Sequence, residues 1–189
     1  SNGIVRVKTV PNRGRDIGPL LSEFNQIVLD NYDVIGHVHT KKSIEVDNPK
    51  IGETWYEFLV ETVIGGRYPM ASLILEKFVD HPELGLVFPD DPNMIGWSDN
   101  KDEAKKLTQL MGIGSIPDQH FNFPVGTMFW ARTKALEPLL AHRFGWEDYP
   151  EEPLAYDGTM LHAIERMLPS VVKKMGFESF MTHVPGITR

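Results

Sequence analysis

The sequence predicts an α/β fold, with an open and largely parallel sheet of about five strands flanked by helices. Three observations favour this class. Short apolar runs of strand length alternate with longer amphipathic stretches of helical period. The first alternation, over residues 4–38, has the strand–helix–strand order of a βαβ unit. The 189 residues are 41% hydrophobic and 24% charged, which is the balance of a globular domain with a substantial core.

The predicted elements follow one another without repeats, low-complexity tracts or an interdomain linker, so one domain is the simplest account. Strands are expected where apolar runs are short, at residues 4–10, 33–38, 84–88, 125–131 and 177–184. Helices are expected where apolar residues recur every three to four positions, at residues 17–28, 55–63, 73–79, 101–111, 133–142 and 159–168. Polar stretches at 44–54, 89–100 and 143–156 are expected to be loops. Asp16 and Asp157 lie where they can cap the helices that follow them.

Composition excludes several classes of function. The net charge of −7 disfavours binding to a nucleic acid backbone, so an anionic ligand must meet a local cluster of positive charge. Cysteine is absent, which excludes thiol catalysis, disulfides and thiolate zinc sites. No apolar run is long enough to span a bilayer, so any membrane association is expected to be peripheral or through a neighbouring domain. Ser1-Asn2 resembles a tag remnant, and we expect the chain to be a piece of a longer polypeptide.

The strongest functional signal is YDVIGHVHTKKS, at the end of the second predicted strand. Alternation along a strand places His37 and His39 on one face, and Lys41 and Lys42 follow. In open α/β sheets, ligands bind at the carboxyl ends of strands. Three interpretations are open. The lysines and a histidine bind a phosphate group, which we favour; the histidines bind a divalent metal; or the histidines lie under a loop and the lysines are solvated.

Two turns that contain glycine are further candidates. Arg13 and Arg15 lie between a predicted strand and a helix, where backbone amides and a helix N-terminus can hold an anion. A tight turn that caps the helix is the alternative. Gly126 begins a predicted buried strand and would let a ligand approach closely. Trp130 in that strand could stack on a sugar or base, although a core tryptophan is the more common case.

Two acidic loops offer carboxylates. Asp90 and Asp91 follow a predicted strand and could bind a metal or act as a base, although turn formation is the commoner role for each. Glu152 and Asp157 precede the last predicted helix, and a carboxylate at the mouth of a cleft can accept a proton from a hydroxyl group. No Ser-His-Asp order, Walker loop or HExxH motif is present.

Taken together, these motifs resemble one family. NRGRDIGPLL, YDVIGHVHTKKS, WYEFLVETVIGG, LGLVFPD, GTMFWAR and DGTMLHAIER occur in the order seen in the rhamnan synthesis protein F family, from about Val10 to about Leu168. The resemblance implies a role in polysaccharide or lipopolysaccharide assembly. It implies a cytoplasmic glycosyltransferase, or one peripheral at the inner face of the membrane, that uses a nucleotide-sugar donor and a glycan or lipid-linked acceptor. The alternative is a non-catalytic module that binds glycan or nucleotide, or docks a partner enzyme.

The same order is similar to the later part of a GT-A glycosyltransferase domain. In that fold an Asn-x-Gly turn precedes a helix, and a strand then ends in an Asp-x-Asp motif that holds the metal of the nucleotide sugar. Asn12-Arg13-Gly14 stands where the turn would be, and His37-Val38-His39 stands where Asp-x-Asp would be. Because magnesium prefers oxygen ligands, the imidazoles imply either a softer divalent metal or no metal. We favour the absence of a metal.

The resemblance also assigns roles to the candidate residues. Cations beside the departing diphosphate lower the barrier to displacement at the anomeric carbon. The implied donor-binding residues are His37, His39, Lys41, Lys42, Arg13 and Arg15. The substrate pocket is expected to include Asn12, Asp90, Asp91, Gly126 and Trp130. An inverting enzyme also needs a carboxylate to deprotonate the acceptor, for which Asp157 is the first choice and Glu152 the second. A metal hydrolase is a third hypothesis, and it predicts zinc or manganese at the two histidines.

Overall fold

The computed structural model describes residues 3–40, 49–118 and 120–187. Within them, helices surround a sheet of four strands in a mixed α/β fold. The α-helices are α1 (Asn25–Asn31), α2 (Pro49–Val63), α3 (Met70–Asp80), α4 (Lys101–Met111), α5 (Glu137–Leu140) and α6 (Met160–Lys174). The strands are β1 (Val34–His37), β2 (Leu84–Pro89), β3 (Phe129–Arg132) and β4 (Glu178–Thr182). Shorter helical turns are Pro19–Glu23 (π) and Ser98–Asn100, Thr133–Leu136 and Trp146–Asp148 (3₁₀).

The sheet is not the one that the sequence predicts. Its strand order is β1-β3-β2-β4, and the pairs β1–β3 and β2–β3 are antiparallel. The pair β2–β4 is parallel, so the expectation of a largely parallel, five-stranded sheet is wrong. Because β3 runs opposite to both of its neighbours, β1, β2 and β4 still point in the same direction. Their carboxyl ends therefore meet at one edge of the sheet, beside the start of β3.

The predicted strand at residues 4–10 accounts for the missing fifth strand. This segment forms no strand, and Ile4, Val5 and Val7 are 78%, 85% and 84% exposed. Alternation of apolar and polar residues satisfies one requirement of a strand, but a strand also needs a hydrogen-bonded neighbour and a layer that buries one face. β1 therefore lies at an edge of the four-stranded sheet.

The core forms on both faces of the sheet. β2 is buried at all six positions, which confirms the prediction from its continuous apolar run. Leu86 and Phe129 pack with α4 and α6 on one face. Val87 packs with Ile74 and Phe78 of α3 on the other face. The sheet is thus the middle of three layers, with helices packed on both of its faces.

Several element boundaries differ from the prediction. The predicted helix at 17–28 divides into the π-helical turn and α1, and no side chain caps the turn at Gly18. β3 begins at Phe129 because a tight turn occupies the preceding residues. The predicted helix at 133–142 is a 3₁₀ turn followed by the four-residue α5. α2 begins inside the predicted loop at 44–54.

The hydrophobic periodicity of the sequence predicts the positions of helices α4 and α6 well. α4 begins and ends where the sequence predicts. α6 begins one residue later than predicted and continues past Pro169, because Val171 and Val172 extend its buried face. Thr159 caps α6, so the expected cap at Asp157 is wrong. None of the helices in the described ranges has the length and apolarity needed to cross a membrane.

We predict that Leu86→Ala lowers the free energy of unfolding by about 2–5 kcal/mol, because Leu86 is fully buried in the central strand and its loss leaves a cavity. Urea denaturation followed by circular dichroism measures the change. The matched control is Leu110→Ala, because Leu110 is 61% exposed on α4 and its truncation costs only about 0.5 kcal/mol or less. Equal effects of the two substitutions would contradict a central position for β2.

Candidate functional site

The candidate site lies at the sheet edge where β1 ends and where two sharp turns meet. In the first turn, Gly14 and Arg15 have φ angles of 74° and 47°; in the second, Gly126 and Thr127 have φ angles of 79° and 55°. A positive φ is uncommon for arginine and a genuine outlier for a β-branched threonine. Such conformations persist only where the surroundings determine them, and they concentrate at functional sites.

The first turn is fixed by close packing. A Cβ atom on Gly14 would lie 2.8 Å from the Cα of Gly18 and 3.0 Å from the ring of Tyr149, so a larger residue does not fit. Tyr149 is buried, and its hydroxyl lies 2.8 Å from the Ser22 hydroxyl. Burial raises the pKa of Tyr149 to about 12, so this anchor stays neutral at physiological pH.

His37 joins the two turns. Its Nδ1 lies 2.6 Å from the carbonyl oxygen of Thr127 and its Nε2 lies 3.2 Å from the carbonyl oxygen of Asp16. The ring also stacks on Phe129 at a centroid distance of 5.2 Å. Since carbonyl oxygens only accept, both contacts are hydrogen bonds together only when both ring nitrogens carry a proton.

His39 lies beside His37, with a distance of 5.9 Å between ring centroids, as the strand alternation predicts. Its Nε2 is 2.8 Å from the carbonyl oxygen of Gly126 and its Nδ1 is 3.2 Å from that of Thr40. A metal ion at this pair would have to replace these contacts, because every ring nitrogen faces an oxygen. Among the described residues, no three His, Cys, Asp or Glu side chains are grouped to hold a metal.

The carboxylate of Asp16 faces this histidine pair. Oδ2 of Asp16 lies 3.5 Å from Nε2 of His39. This oxygen is buried and has no hydrogen-bond partner in the part of the chain that the structure describes. The expected role of Asp16 as a helix cap is therefore wrong. Its side chain lies at the site, where sequence reasoning assigned it no contact with a ligand.

A second group of charges, on α6, supports the turn at residues 126–127. Glu165 Oε1 accepts a hydrogen bond from the Gly126 backbone N–H (2.7 Å) and lies 3.3 Å from the Thr127 hydroxyl. Glu165 Oε2 accepts a hydrogen bond from Arg166, whose guanidinium lies 4.7 Å above the ring of Phe123. α6 therefore determines where the second turn presents its carbonyl groups to the histidines.

Sequence reasoning missed this role of α6. The charged pair Glu165 and Arg166 is typical of a solvated helix face, but Arg166 is only 1% exposed. The available signal was its position, since Arg166 lies three residues after Ala163 and one before Met167, which are both fully buried. A helical period that includes a charged residue in the apolar stripe predicts a buried ion pair.

Asp157, in the loop before α6, also contacts the charged residues of that helix. Its Oδ1 accepts a hydrogen bond from Asn100 (2.6 Å) and lies 3.7 Å from Arg166 and 3.9 Å from His162. Burial raises the pKa of Asp157, but the Asn100 hydrogen bond, the Arg166 charge, the Gly158 backbone and His162 together hold the pKa below its ordinary value. The proposed base is thus an ionised carboxylate with several partners.

The two arginines of the first turn meet the acidic loop at residues 151–152. Arg13 Nη2 lies 3.4 Å from Glu151, and Arg15 Nε lies 3.7 Å from Glu152. The second oxygen of Glu152 accepts a hydrogen bond from the Leu154 backbone (3.0 Å). The structure therefore brings Arg13, Arg15 and Glu152 together at the site, with their charges largely offset by one another.

The contacts of the remaining substrate-pocket candidates are with other groups than the histidines. Asp91 is buried and accepts hydrogen bonds from the backbone and side chain of Asn93 (3.0 and 3.1 Å), which shapes its own loop. Asp90 follows β2, and its carboxylate is 3.5 Å from the Asn122 amide. Asn12 is exposed before the first turn.

Trp130 and the two lysines complete the sequence-based candidates. Trp130 donates a hydrogen bond to the Val63 carbonyl (2.7 Å) and packs against the core on the α2 and α3 side of the sheet. This face is opposite to that of Phe129 and His37, so the indole is committed to the core. Lys41 and Lys42 lie outside the described residues.

We predict that Asp157→Asn destabilises the fold most at neutral pH. The folded state lowers the pKa of Asp157, so its contribution to stability is present above the ordinary value of 3.8 and is lost as the pH falls through the lower, folded value. The variant should be about 1–3 kcal/mol less stable at pH 7, with a smaller difference at pH 3. Urea titrations at both pH values measure this. Asp102→Asn, on an exposed ion pair, is the control and should change little at either pH.

Comparisons with known proteins place the chain in a family. The family model described as rhamnan synthesis protein F matches residues 2–177. Two proteins of Xanthomonas campestris pv. campestris, both called uncharacterized protein WxcX, come from strains B100 and ATCC 33913. Each is 34% identical over 175 residues, which cover 90% of this chain.

The relatives are much longer than this chain, which spans 24% of the length of each. No solved structure matches the chain significantly, so the resemblance to a GT-A domain stays a prediction. The family description connects its members with polysaccharide synthesis. Since the family match extends over most of the 189 residues, the chain belongs to the rhamnan synthesis protein F family.

Proposed function

We propose that this chain is a glycosyltransferase domain that moves a sugar from a nucleotide diphosphate donor to a glycan or lipid-linked glycan in the cytoplasm. The observation that carries the proposal is the meeting of two strained turns with His37 and His39 at a sheet edge where strands end. Ligand sites of open α/β sheets lie at that edge. The description of the family, which names rhamnan synthesis, supports a carbohydrate reaction.

The diphosphate is proposed to bind beside the histidines and the arginines of the first turn. Arg13 pairs with Glu151, which is 87% exposed, and an ion pair at the surface contributes only about 0–1 kcal/mol. Arg15 pairs at 3.7 Å with Glu152, which is 25% exposed. A diphosphate carries more charge than one carboxylate, so it can displace Glu151 from Arg13 at little cost and compete with Glu152 for Arg15. Lys41 and Lys42 follow His39 in the sequence and are proposed to add positive charge.

The proposed chemistry is displacement at the anomeric carbon. The oxygen of an acceptor hydroxyl forms a bond to that carbon, and the bond to the diphosphate oxygen breaks with its electron pair leaving on the diphosphate. In an inverting reaction, the hydroxyl proton passes to a carboxylate. The candidates for this role are Asp157, which accepts a hydrogen bond from Asn100, and Glu152, which lies 3.7 Å from Arg15.

We predict that nucleoside diphosphates and nucleotide sugars bind this chain and raise its thermal unfolding midpoint, whereas free sugars at the same concentration do not. Arg15→Ala should weaken binding at least tenfold in calorimetric titrations, because one cation at the diphosphate is lost. Arg143→Ala is the matched control, since Arg143 also has a positive φ but its guanidinium contacts the exposed Gln26 side chain rather than the acidic loop at residues 151–152. Binding should persist in EDTA and weaken as salt is added.

The outcomes of this titration separate the candidate functions. Failure of every nucleoside diphosphate and nucleotide sugar to bind would contradict the transferase proposal. Equal weakening by Arg15→Ala and Arg143→Ala would remove the first turn from the donor site. Binding that EDTA abolishes would favour a metal-dependent site. Tight nucleotide binding without sugar transfer by the full-length protein would favour the non-catalytic module.

We predict that Lys41→Ala in the full-length protein lowers the rate of sugar transfer by orders of magnitude, because a cation at the departing diphosphate stabilises charge that develops only in the transition state. The control is Lys105→Ala on the exposed face of α4, which should leave transfer unchanged. Both variants should keep the wild-type thermal unfolding midpoint. A normal rate in Lys41→Ala would exclude this lysine from the mechanism.

A further inference from the structure

The arginines of the first turn already face an internal anion, the acidic loop at residues 151–152. Arg13 Nη2 lies 3.4 Å from Glu151 Oε1, and Arg15 Nε lies 3.7 Å from Glu152 Oε1. The two arginines are separated by one residue, and the two glutamates are neighbours in the chain. Two successive carboxylates therefore occupy the two cations whose charge a diphosphate would need.

The acidic loop is held beside the first turn by a buried residue on either side. Tyr149 is buried, and its ring packs against Gly14 in that turn. Leu154 is also buried, and its backbone N–H donates a hydrogen bond to Glu152 Oε2 at 3.0 Å. Only four residues separate Tyr149 from Leu154, so both carboxylates stay close to the turn. The fold itself thus brings the acidic loop to the arginines.

The two ion pairs differ in how firmly the glutamates are held. The Glu151 side chain is 87% exposed, so water competes strongly with its ion pair. The Glu152 side chain is 25% exposed, and one of its oxygens is already fixed by the Leu154 N–H. Less side-chain entropy is then lost when the other oxygen pairs with Arg15. Glu152 is therefore the stronger competitor for an anionic ligand.

We propose that the acidic loop is autoinhibitory, because Glu152 must leave Arg15 before a diphosphate can bind there. The inference rests on the proposed function, since it takes the diphosphate to bind at the first turn, and it deepens that function by assigning a regulator to the same site. A ligand that binds only the open form has an apparent dissociation constant raised by the inverse of the open fraction. A loop that is closed in nine molecules of ten weakens binding about tenfold.

The test is a calorimetric titration of this chain with inorganic pyrophosphate, which carries the charge of a diphosphate without a nucleotide. Glu152→Gln should lower the dissociation constant at least about threefold, because the amide oxygen can still accept the Leu154 N–H while the charge that holds Arg15 is lost. Glu151→Gln should lower it less, because that side chain is largely exposed. A purely structural role for these glutamates predicts no tighter binding.

The matched control is Glu103→Gln on α4. The Glu103 side chain is 33% exposed and pairs with Lys106, so this variant removes the same charge from a glutamate of similar burial. The partner is a lysine of α4 rather than an arginine of the first turn, and the dissociation constant for pyrophosphate should not change. Tightening in this variant equal to that in Glu152→Gln would reduce the effect to net charge and overturn the proposal.

A variant that conserves the charge separates occupation of the arginine from repulsion of the ligand. Glu152→Asp keeps the carboxylate but shortens the side chain by one methylene group, and the present distance of 3.7 Å to Arg15 is already long for an ion pair. Because the proposed block depends on contact, this variant should also tighten the binding of pyrophosphate. Tightening by Glu152→Gln without tightening by Glu152→Asp would contradict autoinhibition.

The same titrations keep the autoinhibition and the donor site distinguishable. Equal affinity of the unmodified chain and Glu152→Gln for pyrophosphate would overturn the autoinhibition and leave the donor site in place. Binding by Glu152→Gln but not by the unmodified chain would support both. Failure of every variant to bind would contradict the donor site and, with it, a loop that excludes a donor.

Discussion

The arrangement of the site depends on one carboxylate, that of Glu165. It accepts the Gly126 backbone N–H at 2.7 Å and lies 3.3 Å from the Thr127 hydroxyl. Thr127 has a positive φ that its branched side chain disfavours, and a charge-assisted hydrogen bond to the turn is the kind of interaction that offsets such strain. With the turn held in this way, its two carbonyl oxygens point at the two histidines.

Glu165 is held in position by a buried positive charge on the same helix. Arg166 is almost fully buried, where an unpaired cation would cost several kcal/mol. Glu165 and Asp157 flank the guanidinium, and Phe123 lies below it. Each carboxylate therefore stabilises Arg166 while holding a second partner, which is a loop amide for Asp157 and the strained turn for Glu165. The ion pairs of Arg166 thus fix Glu165, and Glu165 fixes the turn whose carbonyl groups contact the two histidines.

The sequence predicts the local features of this fold well and the non-local ones poorly. The apolar run of β2 and the period of α4 are properties of short segments, and both predictions are confirmed. The direction of β3 is different, because it depends on which strands it pairs with, and neither residue pattern nor length encodes that choice. The segment at residues 4–10 fails for the same reason, since its alternation is correct but it has no partner in the described sheet.

The error in strand direction did not remove the site, and the reason is geometric. β3 lies between β1 and β2 and is antiparallel to both. β1 and β2 therefore run in the same direction, and their carboxyl ends lie at the same edge of the sheet. His37 is the last residue of β1 and His39 lies two positions beyond it, so their proximity agrees with the strand alternation that the sequence predicts and does not depend on the order of the strands. Partners from distant segments, such as the turn at residues 126–127, could not be inferred in this way.

Asp16 and Asp157 illustrate the same limit at the level of single side chains. Both precede a helix and have the residue type of a cap, yet neither caps one. Asp157 lies against Asn100 and the guanidinium of Arg166, so its charge is satisfied by the scaffold. Asp16 lies against His39 with a buried oxygen that accepts no hydrogen bond from the described residues. The residue type that favours a helix cap therefore does not determine which groups a carboxylate meets, because those partners come from segments distant in the sequence.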